Sequence, residues 1–391
     1  MALTPQWVSD IILEYVYQFQ GFCQYRCQLQ GRSPEDLRTL DSNRNVWSVS
    51  DVTSTLKALA KAGSTGDQQL HIQFGYFSSV ERARLECLLG DYSESLAAIA
   101  HINLGDRSEL FQSLPMVHIN LFYHASICCI MLRRYADAIS TLGEIALYIS
   151  RLLKPGNAGS MRGQDSQFRK MLDKVLALTG ISSNLSPGSR LDDQVRELAE
   201  GKFPEKMRRL ANGDIQTFVD LFEMTGPKFI SPAVPDYSGP LSGDKDKATM
   251  SNKSQEACNV QIALFKQEVV QQLAVLKLRS YMRLYASIDM PKLARFSELS
   301  EDDLFCQVLS YKHKLMQVTR GGEGKRVSSS DVHYFVNEGS LVIESSSTKS
   351  DKQRQAERYF LGGIRRHSEL VADVEKSFNA VFKTVGVKDR E

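Results

Sequence analysis

Residues 85–102 (LECLLGDYSESLAAIAHI) superpose on residues 128–145 (CCIMLRRYADAISTLGEI) at an offset of 43, pairing Leu89 with Leu132, Tyr92 with Tyr135, Ser95 with Ala138 and Ile99 with Leu142. An internal repeat of this length describes one helix pair, and each copy carries an apolar face that only a stacked neighbour can bury. Burying one Leu or Ile contributes about 2 kcal/mol, and only if the stack forms. A tyrosine followed three residues later by Ser or Ala lets neighbouring helices come close. The period exceeds the ~34 residues of a tetratricopeptide repeat, so the unit is tetratricopeptide-like. The expected architecture is mainly α, with stacked helix pairs curving into a right-handed arc.

A chain of 391 residues with 42% apolar content has core material for two or more packed units. Its 48 basic and 46 acidic residues leave a net charge of +2, which gives no global reason to bind nucleic acid or an anionic membrane. Seven cysteines, an odd number and without a CxxC pair, read as reduced thiols of a cytoplasmic or nuclear protein. No apolar run approaches the ~20 residues needed to cross a bilayer, so no membrane partner is expected.

Helical periodicity opens at residues 6–29, where Trp7, Ile11, Tyr15, Phe19 and Phe22 mark the expected buried face. Val52, Leu56 and Leu59 repeat that spacing, with Gly63 and Gly66 expected to end the helix. Further helices are expected near 168–179, 191–211 and 214–223. Pro227, Pro232 and Pro235 then enforce an extended crossing, and 238–255 lacks any period. The helical pattern returns at Ile262, Phe265, Val269, Leu273 and Leu276. From Lys277 onward come a helix through Tyr281 and Leu284, a short one opened by Pro291, and a third capped by Ser300 with Asp303. Val332, Tyr334 and Val336 alternate before a turn at 337–340, and Leu341 to Glu344 returns. Three helices and a β-hairpin make a winged helix. A last helix carries Tyr359, Ile364, Val371, Val374 and Phe378 on one stripe. The chain thus divides into a repeat region (1–153), a helical region (168–285), a winged helix (286–345) and a C-terminal helix (351–385).

Chemistry-bearing patterns fail one by one. Gly324-Lys325 is followed by Arg326, and Thr319 stands where a phosphate-binding loop needs its first glycine. The seven histidines include no HxH pair, and His118 and His124, six apart, miss a common helix face. Cys87, Cys128 and Cys129 sit among Leu, Ile and Met as core thiols. Glu301, Asp302 and Asp303 suit the dipole of a helix start, and there they would oppose the docking of a DNA phosphate. No catalytic residue, metal, cofactor or small-molecule substrate is therefore expected. Arg320, Lys325 and Arg326, with Arg365 and Arg366, form a local basic zone that could touch RNA non-specifically, although a solvated face is the plainer reading.

The stretches QWVSDIILEYVYQFQGFCQYRC (6–27), LECLLGDYSESLAAI (85–99), MLRRYADAISTLGEIALYISR (131–151), GPKFISPAVPDY (226–237) and LARFSELSEDDLFCQVLSYKHKL (293–315) resemble the L-subunit family of eukaryotic translation initiation factor 3, a group of PCI-domain proteins. Residues 155–215 and 238–255 depart from the family's wording. Members carry further N-terminal sequence, which implies a shortened lineage or a truncated chain. The resemblance implies a non-catalytic scaffold, with 168–285 and 286–345 as the two parts of a PCI domain. PCI–PCI packing would use the hairpin residues Val332, Tyr334, Val336, Leu341 and Ile343. The C-terminal stripe would enter a bundle shared with other initiation factor 3 subunits, the K and E subunits as neighbours, on the small ribosomal subunit. The alternatives are a PCI scaffold of the proteasome-lid or COP9-signalosome type, or a winged-helix RNA-binding module.

Overall fold

The computed structural model describes residues 3–29, 31–65, 69–102, 114–154, 165–186, 189, 191–237, 255–318, 326–328, 332–345, 364, 367–368 and 370–378. It is mainly helical with a small amount of sheet. In chain order the helices are α1 (Pro5–Cys27), α2 (Pro34–Ser42), α3 (Val49–Thr65), α4 (Gln69–Leu89), α5 (Tyr92–Ala98), α6 (Pro115–Met131), α7 (Tyr135–Leu152), α8 (Asp165–Leu185), α9 (Asp193–Lys202), α10 (Pro204–Ala211), α11 (Ile215–Thr225), α12 (Glu256–Leu284), α13 (Met290–Ser297) and α14 (Glu301–Leu315). Side-chain oxygens open many of them. Ser33 accepts the Asp36 N–H at 3.1 Å, Asp91 that of Glu94 at 3.0 Å, Asp214 that of Gln216 at 3.2 Å, and Ser300 that of Asp303 at 3.1 Å. The Ser300 hydroxyl thus caps α14 at the expected position, and it also donates to the Asp303 carboxylate at 2.6 Å. The chain divides into two units, residues 1–277 with 310–328, and residues 278–309 with 329–391.

In the first unit the two copies of the sequence repeat become two helix pairs with the same joint. Gly90 (φ 88°) ends α4 and Arg133 (φ 64°) ends α6, both left-handed. The next residue's N–H reaches back five positions, Asp91 to the Glu86 carbonyl at 2.9 Å and Arg134 to that of Cys129 at 2.8 Å. Gly213 (φ 77°) repeats the joint between α10 and α11, where Asp214 donates to the Arg209 carbonyl at 3.1 Å. These pairs share one core that includes Cys87, Ile127, Cys128, Leu142, Leu178, Phe218 and Phe265.

A smaller core joins α1, α3 and α4 and corrects two expectations. The buried stripe of α1 is Val8, Ile12, Val16, Phe19 and Cys23, packed with Leu56, Phe77 and Leu85. Trp7 (63% exposed) and Ile11 (49%) face outward. Two apolar lines of equal period run along this helix, and periodicity alone cannot choose between them. Nor does Gly63 end α3, which runs on to Thr65. A Cβ built on Gly63 would lie 2.3 Å from the Gly75 Cα, so the glycine is there to let α3 and α4 touch backbone to backbone. The helix expected over 191–211 divides at Phe203, because Pro204 has no N–H to continue α9 and instead starts α10.

Residues 226–237 form the expected extended crossing. The Ile230 N–H donates to the Leu88 carbonyl at 3.0 Å, the buried Arg26 guanidinium donates to the Pro232 carbonyl, and Tyr237 packs with Leu29 and Leu37. The unit also holds a two-stranded antiparallel sheet of β2 (Met316–Val318) and β3 (Arg326–Ser328).

The second unit places β1 (Ser287–Asp289) before α13, and β4 (Val332–Asn337) and β5 (Ser340–Ser345) after α14, in an antiparallel sheet of order β1-β5-β4. The hairpin turns at Glu338 and Gly339, both with positive φ (48° and 76°), the geometry that matches the strands' twist. Ile288 pairs with Leu341, which in turn pairs with Val336. The strand β1 carries no alternation long enough to be read from sequence.

Candidate interaction surfaces

The buried titratable groups serve packing. His118 and His124 lie inside the first unit, where burial pushes both imidazoles down to about 3 and keeps them neutral. The Cys87 thiol is held well above its usual range by hydrogen bonding with Cys128 and by burial. Burial also raises the Glu81 carboxyl against the pull of Arg84, whose Nη1 lies 3.0 Å away. Glu268 on α12 receives two cations, Arg133 at 3.0 Å and Lys314 at 2.9 Å. Among the described residues no group of His, Cys, Asp or Glu comes together in a way that could hold a metal ion. A cavity of about 360 Å³ between α7 and α9 is lined by Leu147, Ser150, Arg151, Gln194 and Glu197 and opens to solvent. None of these side chains is a nucleophile paired with a base.

What distinguishes the surface is apolar exposure. Ile364, Leu370, Val371 and Val374 fall in helical residues of the C-terminal segment, with Val371 57% and Val374 66% exposed. Phe378 is exposed on the same segment, and Tyr359 lies outside the described residues. The spacing 367–371–374–378 puts Val371, Val374 and Phe378 on one face.

The hairpin divides differently from the expected interface. Val332, Tyr334 and Leu341 are buried, and the Tyr334 hydroxyl donates to the Val308 carbonyl at 2.8 Å. Ile343 is half-buried, and its N–H donates to the Ala286 carbonyl at 2.9 Å. Only Val336 of the five is exposed, and its neighbour Phe335 is exposed on the opposite face of the strand. A strand with one apolar face turns that face to its core, so of the highlighted β4 residues only Val336, beside the turn, stays accessible, while Phe335 on the other face is exposed as well. Phe305 and Leu309, one turn apart on the outer side of α14, add apolar surface that sequence reasoning assigned to no site. Helical spacing of the buried Leu304 and Val308 could have found them, because their neighbours in the period point away.

Of the basic zone, Arg320, Lys325, Arg365 and Arg366 lie outside the described residues, and Arg326 belongs to β3. The first turn of α14 carries Glu301, Asp302 and Asp303. No helix among the described residues is long and apolar enough to cross a membrane.

A family model described as RNA polymerase I-associated factor PAF67 matches residues 1–367. The chain is 30% identical to eukaryotic translation initiation factor 3 subunit L of Nematostella vectensis over 400 residues, which cover 96% of this chain and 73% of that protein. The proteins of the same name from Danio rerio and Homo sapiens are each 30% identical over 401 residues, covering 96% of this chain and 67% and 68% of theirs.

Proposed function

Because the chain belongs to the L-subunit family of eukaryotic translation initiation factor 3, we propose that it is a non-catalytic scaffold subunit that helps assemble that factor on the small ribosomal subunit. The observation that carries this reading is the run of outward apolar residues Ile364, Leu370, Val371 and Val374, since a helix with so much exposed apolar surface gains stability by docking on another protein. The succession of helix, β1, α13, α14 and hairpin, with β1 pairing β5, supports taking 286–345 as the winged-helix part of a PCI domain. The three matching joints at Gly90, Arg133 and Gly213 support a tetratricopeptide-like stack leading into it.

In this reading the C-terminal stripe joins a helical bundle with sister subunits, the K and E subunits as neighbours, and Phe335 and Val336 take the outward role in the PCI–PCI contact. Phe305 and Leu309 on α14, beside an acidic first turn, favour a protein partner over nucleic acid. Affinity purification of the tagged chain from its own cells, followed by mass spectrometry, tests the proposal. Recovery of the other initiation factor 3 subunits with small-subunit ribosomal proteins is expected. Recovery of proteasome-lid or signalosome subunits in their place would overturn it.

A further inference from the structure

The outer line of α1 advances by four and three in turn through Trp7, Ile11, Glu14, Gln18, Gly21 and Tyr25, all of them exposed. That is the spacing of a coiled-coil seam. It lies opposite the face that Val8, Ile12, Val16, Phe19 and Cys23 bury in the core, so nothing in that core uses it. A Cβ built on Gly21 meets no atom, which leaves an open notch in the middle of the seam.

The order of residues along this line complements its own reverse. Run antiparallel to a second copy, Trp7 faces Tyr25 of that copy, Ile11 faces Gly21 and Glu14 faces Gln18, each contact occurring twice about one axis. Two aromatic rings meet at each end, a branched side chain drops into each glycine notch, and at the centre the two Glu14–Gln18 pairs, each joined within its own helix by the Gln18 amide donating to the Glu14 carboxylate, lie side by side. The ends match in charge as well. Asp10 and Glu14 make the first half of α1 acidic, whereas the far end has the Arg32 guanidinium lying 3.5 Å from the Tyr25 ring centroid. Antiparallel helices also set their dipoles in opposition, the favourable arrangement.

We propose that the outer face of α1 is a self-association surface, which pairs two copies of this chain through an antiparallel, two-fold helix contact. One helix pair is a small interface, so the dissociation constant is expected at roughly 10–100 µM.

Sedimentation equilibrium of the full chain across that range reads the proposal directly. Ile11→Arg and Gly21→Leu lie on exposed positions and should not lower the circular-dichroism melt, Gly21→Leu raising it through its gain in helix propensity, while each weakens the dimer at least tenfold. The double variant Glu14→Lys/Gln18→Glu should tighten it, because antiparallel pairing sets opposite charges against each other twice. A single monomeric species up to roughly 300 µM would overturn the proposal. So would a dimer indifferent to Ile11→Arg and Gly21→Leu, or one weakened by the double charge variant, as parallel pairing requires.

Discussion

Glu268 Oε2 lies 3.0 Å from Nε of Arg133, the residue that holds in left-handed conformation the joint that Gly90 holds one repeat earlier. A non-glycine residue in that conformation costs about 1–2 kcal/mol. The ion pair helps to offset it, and it locks the α6–α7 joint to α12. The other Glu268 oxygen meets Lys314, whose side chain is 9% exposed and whose ammonium burial pushes below its ordinary value. Replacing Glu268 by Gln removes the partner of a nearly buried cation. Glu268→Gln should lower stability by about 3 kcal/mol, read as the shift in a urea midpoint.

Gly63→Ala tests the backbone contact of α3 with α4. Alanine favours a helix over glycine by about 1 kcal/mol, so at an open site the change would stabilise. Here the new methyl would sit 2.3 Å from the Gly75 Cα, and the helices must separate. The expected outcome is a net loss of about 2 kcal/mol in thermal unfolding. Gly21→Ala, where the new atom meets nothing, should give a gain in the same assay.

Tyr135 is buried in the shared core, as a ring wedged between stacked helices must be. Tyr135→Ala should cost on the order of 3 kcal/mol by equilibrium denaturation, and a cost under about 1 would place the ring outside the stack.

His118 gives the fold a pH dependence. Burial lowers its folded-state value from 6.5 to about 3, so the unfolded chain takes up a proton that the folded chain refuses. The stability it contributes is complete above 6.5 and is lost as pH falls toward 3, at up to about 1.4 kcal/mol per pH unit. Glu81, whose raised carboxyl acts with the opposite sign, complicates the whole-protein curve. The difference between wild type and His118→Phe isolates the imidazole. Phenylalanine preserves packing on the Phe122 ring, 4.5 Å away, and should make the acid limb between pH 6.5 and 3 shallower, leaving the share of the likewise buried His124.

The helix pairs were legible in the sequence because each joint needs a particular conformation, and the offset of 43 sets Arg133 opposite Gly90. The third joint was not seen as a repeat, although Gly213-Asp214 spells the same two letters as Gly90-Asp91, because the helices around it share no other residues with the first copy. The face of α1 was misread because Trp7 and Ile11 are as apolar as Val8 and Ile12. Position relative to α4 decides between them, and that is a tertiary fact. Gly63 shows the same limit, since a helix-ending glycine and a close-packing glycine look alike until the neighbouring helix is known. The hairpin itself followed from alternation, but alternation marks the inward side, so Val332, Tyr334 and Leu341 prove buried, Val336 of the same line stays exposed, and the exposed Phe335 goes unmarked.

Quantitative co-purification from cell extract, comparing the tagged wild-type chain with Ile364→Asp/Val371→Asp, tests the scaffold reading most directly. Both residues point outward, so the variant should unfold at the same temperature as wild type while the recovery of sister initiation factor 3 subunits falls at least tenfold. Equal recovery by the two chains would contradict the claim that this apolar stripe is how the protein holds its company.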